Sequence, residues 1–290
     1  MGSVISCLPT RNRPSGGCLV QFRSLLFTPA NRPDRFVRAL ESGADAVCLD
    51  LEDAVAPADK ASARAGALEF LAQRPAGGVQ VGLRLNGRST PWFADDLRAA
   101  APAEADFFMI PKASSAHEFG MLQRALGDAR PFWPLVETPE GLMRCWDIAE
   151  APGVGGILFG AFDYSAEVGC DMSWEPLLFA RSQIAAACAR AGVQALDAPP
   201  GLVGEPEVLS AETDRARRLG FTGRACIHPD QVGPVNAVYT PSAEDVAKAQ
   251  AVVEAFEAAA GGPALVDGKL IELPVARAAR RILERARGRD

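Results

Sequence analysis

Short apolar runs alternate with longer segments of helical period from residue 23 onward. The longer segments are rich in alanine and carry charged residues, a combination that is typical of repeated strand and helix units around a parallel sheet. The pattern predicts eight strands, at 23–28, 45–51, 79–85, 106–110, 131–136, 155–159, 193–197 and 223–227. It also predicts intervening helices at 33–42, 58–73, 91–100, 114–126, 139–150, 175–191 and 207–219.

Eight such units favour an α/β fold of the closed (β/α)8 type, a TIM barrel, over an open doubly wound sheet. No Gly-x-Gly-x-x-Gly motif follows the first predicted strand, which removes the main argument for a dinucleotide-binding sheet. Asn31, Thr138 and Ser173 stand where helix N-caps would follow strand ends. We therefore expect residues 23–241 to form the barrel.

The alternation stops after the eighth predicted strand. A helical stretch begins at Ser242, its predicted N-cap, and ends at the glycine pair 261–262. Residues 264–272 and a last predicted helix over 274–287 complete an appendage of helices and hairpin, which together spans 242–290. The part after the glycine pair is too short to bury a core alone, so we expect the appendage to pack on the barrel or on a neighbouring subunit.

The first 22 residues show no periodicity of either kind. Residues 1–6 fit a loose myristoylation pattern, and the presence of arginines without acids over 1–22 is also found in transit peptides. Neither signal is specific. We interpret 1–22 as a disordered leader.

Composition narrows the class of protein. The 290 residues are 48% hydrophobic and 23% charged, which excludes disordered and fibrous proteins. A net charge of −6 argues against a nucleic-acid partner, and no run approaches the ~20 apolar residues that cross a bilayer, so no membrane partner is expected. Seven cysteines without Cys-x-x-Cys spacing fit a reducing, cytoplasmic compartment.

Polar residues at the carboxyl ends of barrel strands face a common mouth and are candidates for a site. Glu137 follows the fifth predicted strand and Asp163 the sixth, so two carboxylates would lie on adjacent strands roughly 4.8 Å apart. Oxygen ligands without paired histidines favour Mg²⁺, or Mn²⁺, over Zn²⁺. Either acid alone is more often a helix cap than a ligand, and the prediction rests on their convergence. The other polar residues at strand ends are Asp50, Glu52, Asp53, Arg84, Asn86, Lys112 and His228.

Arg84 follows an apolar strand and would present a planar guanidinium to a carboxylate at the mouth. The alternative is a structural role in which Arg84 neutralises Asp50 or Glu52. His228 also has two interpretations, a substrate contact and a cap for the turn that follows it. His117 falls in the fourth predicted helix, and we interpret it as a surface residue.

Several sequence segments, each weak alone, form a specific combination between residues 23 and 277. They are RSLLFTPANRP (23–33), DAVCLDLEDAV (45–55), RLN (84–86), IPK (110–112), VETPEG (136–141), FGAFD (159–163) and GFTGRACIHP (220–229). The combination resembles the citrate lyase β-subunit-like branch of the HpcH/HpaI aldolase family. The resemblance implies a TIM barrel that assembles as a homotrimer or hexamer, and a Mg²⁺-dependent lyase that cleaves a carbon–carbon bond in a 3-hydroxyacyl-CoA.

The resemblance also implies roles for individual residues. Glu137 and Asp163 match the metal ligands, and Arg84 matches the substrate-binding arginine. Asp50, Glu52 and Asp53 match an acidic cluster near the metal-bound waters. We assign catalysis to Arg84, Glu272 and Asp53, and substrate binding to Arg84, Asn86, Lys112 and His228.

The chain departs from many relatives at two positions. Glu272 stands where they carry an aspartate that is proposed as the acid/base and is contributed to a neighbour's active site. Glutamate has the same chemistry on a longer side chain. Arg224 replaces the usual lysine and keeps its charge. In addition, Asp53 stands where the pyruvate-aldolase branch has a histidine, which favours the CoA-thioester branch.

These inferences predict cleavage of a citramalyl-CoA or malyl-CoA type substrate to acetyl-CoA and a 2-keto acid. Mg²⁺ would stabilise the forming ketone, Arg84 would orient the substrate carboxylate, and Glu272 would exchange the proton at the acetyl-CoA carbon. One alternative is a pyruvate-type class II aldolase that does not use CoA. A phosphoenolpyruvate-type barrel lacks support because the sequence shows no lysine-rich phosphate loop, and a non-catalytic binding paralogue is the alternative outside enzymes.

Overall fold

The computed structural model describes residues 21–74, 78–127, 130–201 and 204–287. Most of the predicted leader therefore lies outside the described residues. Within the described part of the leader, Phe22 is buried at 4% exposure and its ring stacks on Trp133, with 5.1 Å between the ring centroids.

Eight parallel strands close into a barrel in which each strand pairs with the next and the eighth pairs with the first. This confirms the predicted TIM-barrel fold. Each observed strand boundary lies within one residue of its prediction, because the apolar runs that mark the strands are bounded by polar or glycine residues. The strands are β1 (Ser24–Pro29), β2 (Ala46–Asp50), β3 (Gln80–Arg84), β4 (Phe107–Ile110), β5 (Phe132–Val136), β6 (Gly156–Phe159), β7 (Gln194–Asp197) and β8 (Gly223–Cys226).

Helices follow the strands in the order expected for a barrel. They are α1 (Phe36–Leu40), α2 (Lys60–Gln73), α3 (Phe93–Ala100), α4 (Ala116–Leu126), α5 (Pro139–Met143), α6 (Cys145–Ala149), α7 (Ala161–Val168), α8 (Trp174–Ala191), α9 (Pro206–Leu219), α10 (Val232–Tyr239), α11 (Ala243–Ala258) and α12 (Leu273–Arg287). Short 3-10 turns at Pro33–Arg35, Pro57–Asp59 and Pro229–Gln231 precede α1, α2 and α10.

The helices differ from the predictions in three places, one of which is α10, a helix that the sequence pattern did not predict. The predicted helix 139–150 is two short helices that meet at Arg144, and α7 was not predicted at all. Among the predicted caps, the Thr138 hydroxyl accepts a hydrogen bond from the Gly141 N–H at 3.0 Å, as expected. The cap predicted at Asn31 is wrong, because the turn after β1 begins one residue later, behind Arg32, and no side chain caps it. Ser173 does hold the N-cap position of α8, without a capping hydrogen bond from its side chain.

Aromatic rings fill the amino-terminal end of the barrel. Phe22, Phe107 and Trp133 pack together there, and a Cβ at Gly82 would lie 2.1 Å from the Phe107 ring. Glycine at position 82 is therefore required by the size of that ring. With apolar side chains filling this end, the polar residues are left to the opposite, carboxyl-terminal mouth.

Contacts divide the chain into two compact units, of which the first ends at Asn236 and the second begins at Ala237. In the second unit, α11 packs on α12 through a small apolar core, and Ser242 caps α11 through the Asp245 N–H. A hairpin of β9 (Ala264–Val266) and β10 (Lys269–Ile271) lies between these helices in the sequence. Its two turn residues both have positive φ, as a type I′ turn requires. Part of the tail's apolar surface, including Ile271, thus packs on α11, a partner that the sequence-based expectation had left out, whereas Leu270, Leu273 and Val275 stay exposed. No described helix is long and apolar enough to cross a membrane.

Candidate active site

Arg84 and Asp50 are neighbours across β2 and β3 and form the buried base of the barrel mouth. The strand register places them side by side, and Nε and Nη2 of Arg84 each donate to one Asp50 oxygen at 2.6 Å. Burial acts to raise the pKa of Asp50, but the charge and hydrogen bonds of Arg84 outweigh it and hold that pKa below its usual value. Arg84 therefore has the structural role given above as its alternative, the neutralisation of Asp50. That role uses two of the guanidinium's N–H groups.

The remaining guanidinium nitrogen of Arg84 faces two further acids. Nη1 lies 2.9 Å from Glu52 Oε2 and 3.7 Å from Asp53 Oδ2, and the guanidinium lies 4.9 Å from the Phe27 ring centroid. Arg84 is thus surrounded by three carboxylates and an aromatic face. This brings together four of the residues that the sequence singled out at strand ends.

Glu52 is a carboxyl group whose charge changes near neutral pH. Burial raises its pKa to about 7, with Asp53 and Asp50 adding to the rise and Arg84 opposing it. Its side chain is only 8% exposed. A buried carboxyl with such a pKa suits proton transfer at neutral pH, because it exchanges a proton with little cost in either direction.

Glu137 directly follows β5 and is buried at the mouth. Its Oε1 accepts the Lys112 N–H at 2.7 Å. A Cβ on Gly160 would lie 2.4 Å from the Glu137 Cβ and 2.6 Å from Oε2, so glycine at position 160 makes room for this carboxylate. Burial, and then the charge of Glu52, raise the Glu137 pKa to about 8. A cation beside Glu137 would relieve that electrostatic cost.

Asp163 lies in the first turn of α7. The sequence had predicted a position at a strand end, and the structure corrects that prediction. β6 ends at Phe159, four residues earlier, and α7 begins at Ala161. The Asp163 side chain is 39% exposed, and its charge contributes to the raised pKa of Glu137, which places the two carboxylates within electrostatic range.

Glu137 and Asp163 fit a hard divalent cation in the chemistry of their donors. Both offer carboxylate oxygen, and Glu137 bears a burial cost that positive charge would offset. Among the described residues, no three or more His, Cys, Asp or Glu side chains are grouped as a metal site. A cation held by Glu137 and Asp163 would have two protein ligands, and such a pair would leave coordination positions for water and substrate.

Lys112 contacts both of these acids. Its N–H is bonded to Glu137, and its ammonium Nζ lies 3.1 Å from Asp163 Oδ2 and 3.9 Å from Glu52 Oε1. Its backbone has φ of +50°, in the left-handed region that few residues other than glycine adopt. A lysine held in this conformation is typical of strain kept at a functional position.

Lys60 is a residue that the sequence reasoning did not single out. It begins α2, is 5% exposed, and its Nζ donates to the carbonyl oxygens of Leu51 and Glu52, both at 2.7 Å. The Trp92 ring covers the ammonium, with 5.1 Å to the ring centroid. Lys60 therefore fixes the backbone of the loop that carries the acidic cluster. An isolated lysine in a predicted helix gave no signal for this role.

Two predicted site residues make their side-chain hydrogen bonds outside the acidic centre. Asn86 is 1% exposed, and its side-chain amide nitrogen donates to Asp96 of α3 at 2.6 Å. His228 caps the turn after β8, where its Nδ1 accepts the Asp230 N–H at 3.3 Å. Capping, one of the two interpretations of His228, is thus observed. Substrate contacts by both residues remain predictions.

Glu272 belongs to the second unit, where it precedes α12. Its backbone carbonyl accepts hydrogen bonds from the N–H groups of Val275 and Ala276, and its side chain is exposed. Arg224 is almost fully buried, and it donates to the Ala198 carbonyl at 3.0 Å. The charge that Arg224 retains therefore has a structural role within the wall of the barrel. His117 is exposed on α4, as expected for a surface residue.

A cavity of about 340 Å³ lies beside the mouth, between the end of β1 and the start of α2. Its lining residues are small or polar, and they are Ala30, Asn31, Pro33, Asp59, Ser62, Ala63 and Gly66.

Together, the closed barrel and its mouth of buried acids around an arginine define a TIM-barrel protein with a candidate active site at the carboxyl-terminal mouth. A sequence profile described as "C-C_Bond_Lyase of the TIM-Barrel fold" matches residues 186–288. The profile of the HpcH/HpaI aldolase/citrate lyase family matches residues 23–229, so the chain belongs to that family.

The relatives of this chain carry more than one name. An L-malyl-CoA/beta-methylmalyl-CoA lyase of Cereibacter sphaeroides is 33% identical, and the match covers 91% of this chain and 94% of the relative. A (3S)-malyl-CoA thioesterase of the same species is 35% identical, over 87% of this chain and 90% of the relative. The crystal structure of CitE from Mycobacterium tuberculosis in complex with magnesium, acetoacetate and coenzyme A is 33% identical, with a TM-score of 0.80 over 93% of this chain and 99% of that one.

Proposed function

We propose that this protein is a Mg²⁺-dependent carbon–carbon lyase that cleaves a 3-hydroxyacyl-CoA of the malyl-CoA or citramalyl-CoA type into acetyl-CoA and a 2-keto acid. The observation that carries the proposal is the meeting of Glu137, Asp163 and Arg84 at one barrel mouth. The names of the malyl-CoA lyase relative and of the CitE complex with magnesium and coenzyme A support the same reaction class.

Glu137 and Asp163 would hold Mg²⁺, whose chemistry there is Lewis-acid stabilisation of the substrate's oxygen as it becomes a ketone. Mn²⁺ offers the same chemistry to these oxygen ligands. Arg84 already has two N–H groups fixed by Asp50, which holds the guanidinium plane in place. Its remaining donors would orient the substrate carboxylate and oppose negative charge on the thioester enolate.

The reaction needs one proton taken and one proton given. A base removes the hydroxyl proton. The bond between the carbinol carbon and the thioester's α-carbon then breaks, and its electrons move into the thioester enolate. An acid finally protonates that α-carbon. We assign the proton at the α-carbon to Glu272 of a neighbouring subunit in a homotrimer or hexamer. If Glu272 has no such role, Glu52 is favoured among the acids of the mouth by its pKa of about 7.

The other predicted residues keep supporting roles in this proposal. Asp53, with a 61% exposed side chain 3.7 Å from Arg84, would act with that arginine at the open side of the site. Lys112, Asn86 and His228 would contact the substrate. The compartment that fits the cysteine content is the reducing cytoplasm.

Hydrolysis of the same thioester is a second candidate. It is favoured by the relative named (3S)-malyl-CoA thioesterase, which matches most of this chain. In that reaction water would attack the thioester carbonyl, and free CoA and a hydroxy acid would be the products.

A panel assay with product identification tests the proposal and separates the two candidates. Citramalyl-CoA, malyl-CoA, methylmalyl-CoA and a free hydroxy-keto acid are each incubated with the protein in Mg²⁺ or in excess EDTA, and 2-keto acid, short-chain acyl-CoA, free CoA and hydroxy acid are quantified. The proposal expects keto acid and acyl-CoA in equal amounts from at least one thioester, only with Mg²⁺. Free CoA and hydroxy acid would indicate a thioesterase. Cleavage of free hydroxy-keto acids with no turnover of thioesters would indicate the aldolase that does not use CoA, and no turnover of either class would favour the binding paralogue.

A further inference from the structure

Lys112 touches both acids of the proposed metal pair, and it does so through two different groups. Its backbone N–H donates to Glu137 Oε1 at 2.7 Å, and its ammonium Nζ lies 3.1 Å from Asp163 Oδ2. The same ammonium lies 3.9 Å from Glu52 Oε1. The Lys112 ammonium thus places one positive charge between Asp163 and Glu52. A divalent ion bound by Asp163 would bring its own charge to the same region.

The backbone of Lys112 keeps this arrangement in place. Its φ of +50° is a left-handed conformation that costs conformational energy in a residue with a Cβ. The chain accepts it directly after Pro111, in the loop that follows β4, and the adjacent N–H of Ala113 is bonded to the Leu135 carbonyl at 3.0 Å. Because Ile110, two residues earlier, pairs with Pro134, the loop is anchored to β5 on both sides of the Glu137 contact, and a mobile surface lysine would have no such anchor.

The Lys112 ammonium faces carboxylates on two sides, with Asp163 Oδ2 at 3.1 Å and Glu52 Oε1 at 3.9 Å. An ammonium and a divalent cation on one carboxylate repel each other, so each weakens the binding of the other.

We propose that Lys112 is a positioning residue for the metal site. Its ammonium is the counter-ion of Asp163 when the metal is absent, and it competes with the divalent cation for that carboxylate. Its N–H holds Glu137 in place for the same cation. The inference rests on the proposed function, because it requires the metal pair. It goes beyond that function by assigning to one side chain the control of how tightly the metal binds.

Metal binding without substrate tests the proposal. Mn²⁺ is titrated into wild-type protein and into Lys112→Met, and free Mn²⁺ is measured by electron paramagnetic resonance. Lys112→Met keeps the N–H and removes the charge, and we expect the Mn²⁺ Kd to fall by about fivefold, as for the loss of one partly exposed ion pair. Lys112→Arg retains the charge and should return the Kd towards the wild-type value. Lys112→Gly, which also removes the charge and relieves the positive φ, serves if Lys112→Met folds poorly.

Arg88→Met is the matched control. Arg88 and Lys112 have equally exposed side chains, and each lies 3.1 Å from a carboxylate, but the partner of Arg88 is Glu118. Loss of the Arg88 charge should leave Mn²⁺ affinity at the wild-type value. Equal effects of Arg88→Met and Lys112→Met would show that net charge alone matters and would overturn the proposal.

Failure of the inference can be told apart from failure of the proposed function. If wild-type protein binds no Mn²⁺, or if Glu137→Gln binds it as well as wild type does, the metal pair itself is wrong. If Glu137→Gln loses Mn²⁺ binding and Lys112→Met binds it no more tightly than wild type, the metal pair stands and the competing role of Lys112 is refuted. Melting temperatures provide a second readout, since Mn²⁺ should raise that of Lys112→Met by more than that of wild type.

Discussion

Arg84 combines a structural and a proposed chemical role in one side chain. Two of its nitrogens hold Asp50, and the third faces Glu52 at 2.9 Å. The sequence suggested each role separately, because it showed an arginine at a strand end and acids at the end of the preceding strand. The strand register places Asp50 beside Arg84 and so accounts for the structural role, and it leaves the third nitrogen for the proposed chemical role.

Arg84→Lys tests the need for a planar guanidinium. An ammonium cannot make both contacts to Asp50 and also face Glu52, so we expect kcat/KM to fall by more than about tenfold. The variant should also lose about 1–3 kcal/mol in free energy of unfolding, because buried oxygens of Asp50 lose a donor. Steady-state kinetics and urea denaturation measure the two effects. Arg88→Lys, at a half-exposed single contact, is the control, and a kcat/KM loss under threefold in Arg84→Lys would contradict the chemical role.

Gly160→Ala tests whether the position of Glu137, and not only its charge, matters for metal binding. The φ of Gly160 is −95°, which alanine adopts freely, so the effect of the new methyl group is its contact with Glu137. We expect Mn²⁺ affinity to fall by about tenfold, as when the support of a metal ligand is altered. Isothermal titration calorimetry measures the change.

The control for this substitution is Gly120→Ala on α4. A Cβ there meets only the end of the Arg124 side chain, at 3.9 Å, so metal affinity should stay at the wild-type value. Unchanged Mn²⁺ affinity in Gly160→Ala would show that the Glu137 carboxylate is free to move and would remove Gly160 from the account.

The elements of the barrel differ in how well the sequence reveals them. Strands were located within one residue, because a buried parallel strand is a continuous apolar run that little else in the chain imitates. The short helix α7 was missed because its eight residues follow β6 after a single glycine, and their mixture of Phe, Tyr, Asp and Glu gives no long helical period. That omission is the reason why Asp163 was predicted at a strand end.

The acidic loop after β2 depends on a residue from the next helix. Nζ of Lys60 satisfies the carbonyl oxygens of Leu51 and Glu52 where water has almost no access. Such a contact joins residues eight and nine positions apart through a loop. The periodicity of strands and helices gives no signal for such a contact, so it is seen only in the folded loop.

Lys60→Met tests this clamp. The methionine fills a similar volume but leaves two buried carbonyl oxygens without a donor, so we expect a loss of about 1–3 kcal/mol in free energy of unfolding. Urea denaturation measures the loss, and hydrogen exchange should report faster opening at residues 51–54. Lys248→Met, at an exposed lysine paired with Glu244 on α11, should keep the wild-type stability. Equal stability of the two variants would refute the clamp.

At the scale of the whole molecule, the chain has two units, and the acid/base assigned to catalysis lies in the smaller one. Apolar side chains near Glu272 are exposed in a single chain, among them Leu270, Leu273 and Val275. In the proposed function, the barrel of one chain would supply the metal pair and the arginine, and a neighbouring chain would supply Glu272.

Mixing two inactive variants tests this requirement. Glu272→Gln and Glu137→Gln should each be inactive alone, and a mixture that has exchanged subunits should regain part of the activity. In mixed oligomers, some barrels with an intact metal pair receive an intact Glu272 from a neighbour. Keto-acid release before and after exchange, with exchange verified by native mass spectrometry, measures the recovery.

The matched control mixes Glu137→Gln with Asp163→Asn. Every barrel in that mixture carries a damaged metal pair, so exchange should restore no activity. A mixture of Glu272→Gln and Glu137→Gln that stays inactive despite exchange would assign the tail a structural role. Full activity of Glu272→Gln alone would do the same, and would direct the search for the proton-transfer group to Asp50, Glu52 and Asp53.

The dependence of carbon–carbon cleavage on Mg²⁺ tests the central claim most directly. The measurement is the initial rate of keto-acid release as a function of Mg²⁺ concentration for wild type, Glu137→Gln and Asp163→Asn, with circular dichroism to confirm the fold of each. The account predicts a saturable Mg²⁺ dependence for wild type and loss of turnover in both folded variants, since each removes a ligand oxygen at the mouth. Full activity of either variant at the Mg²⁺ concentration that saturates wild type would contradict it.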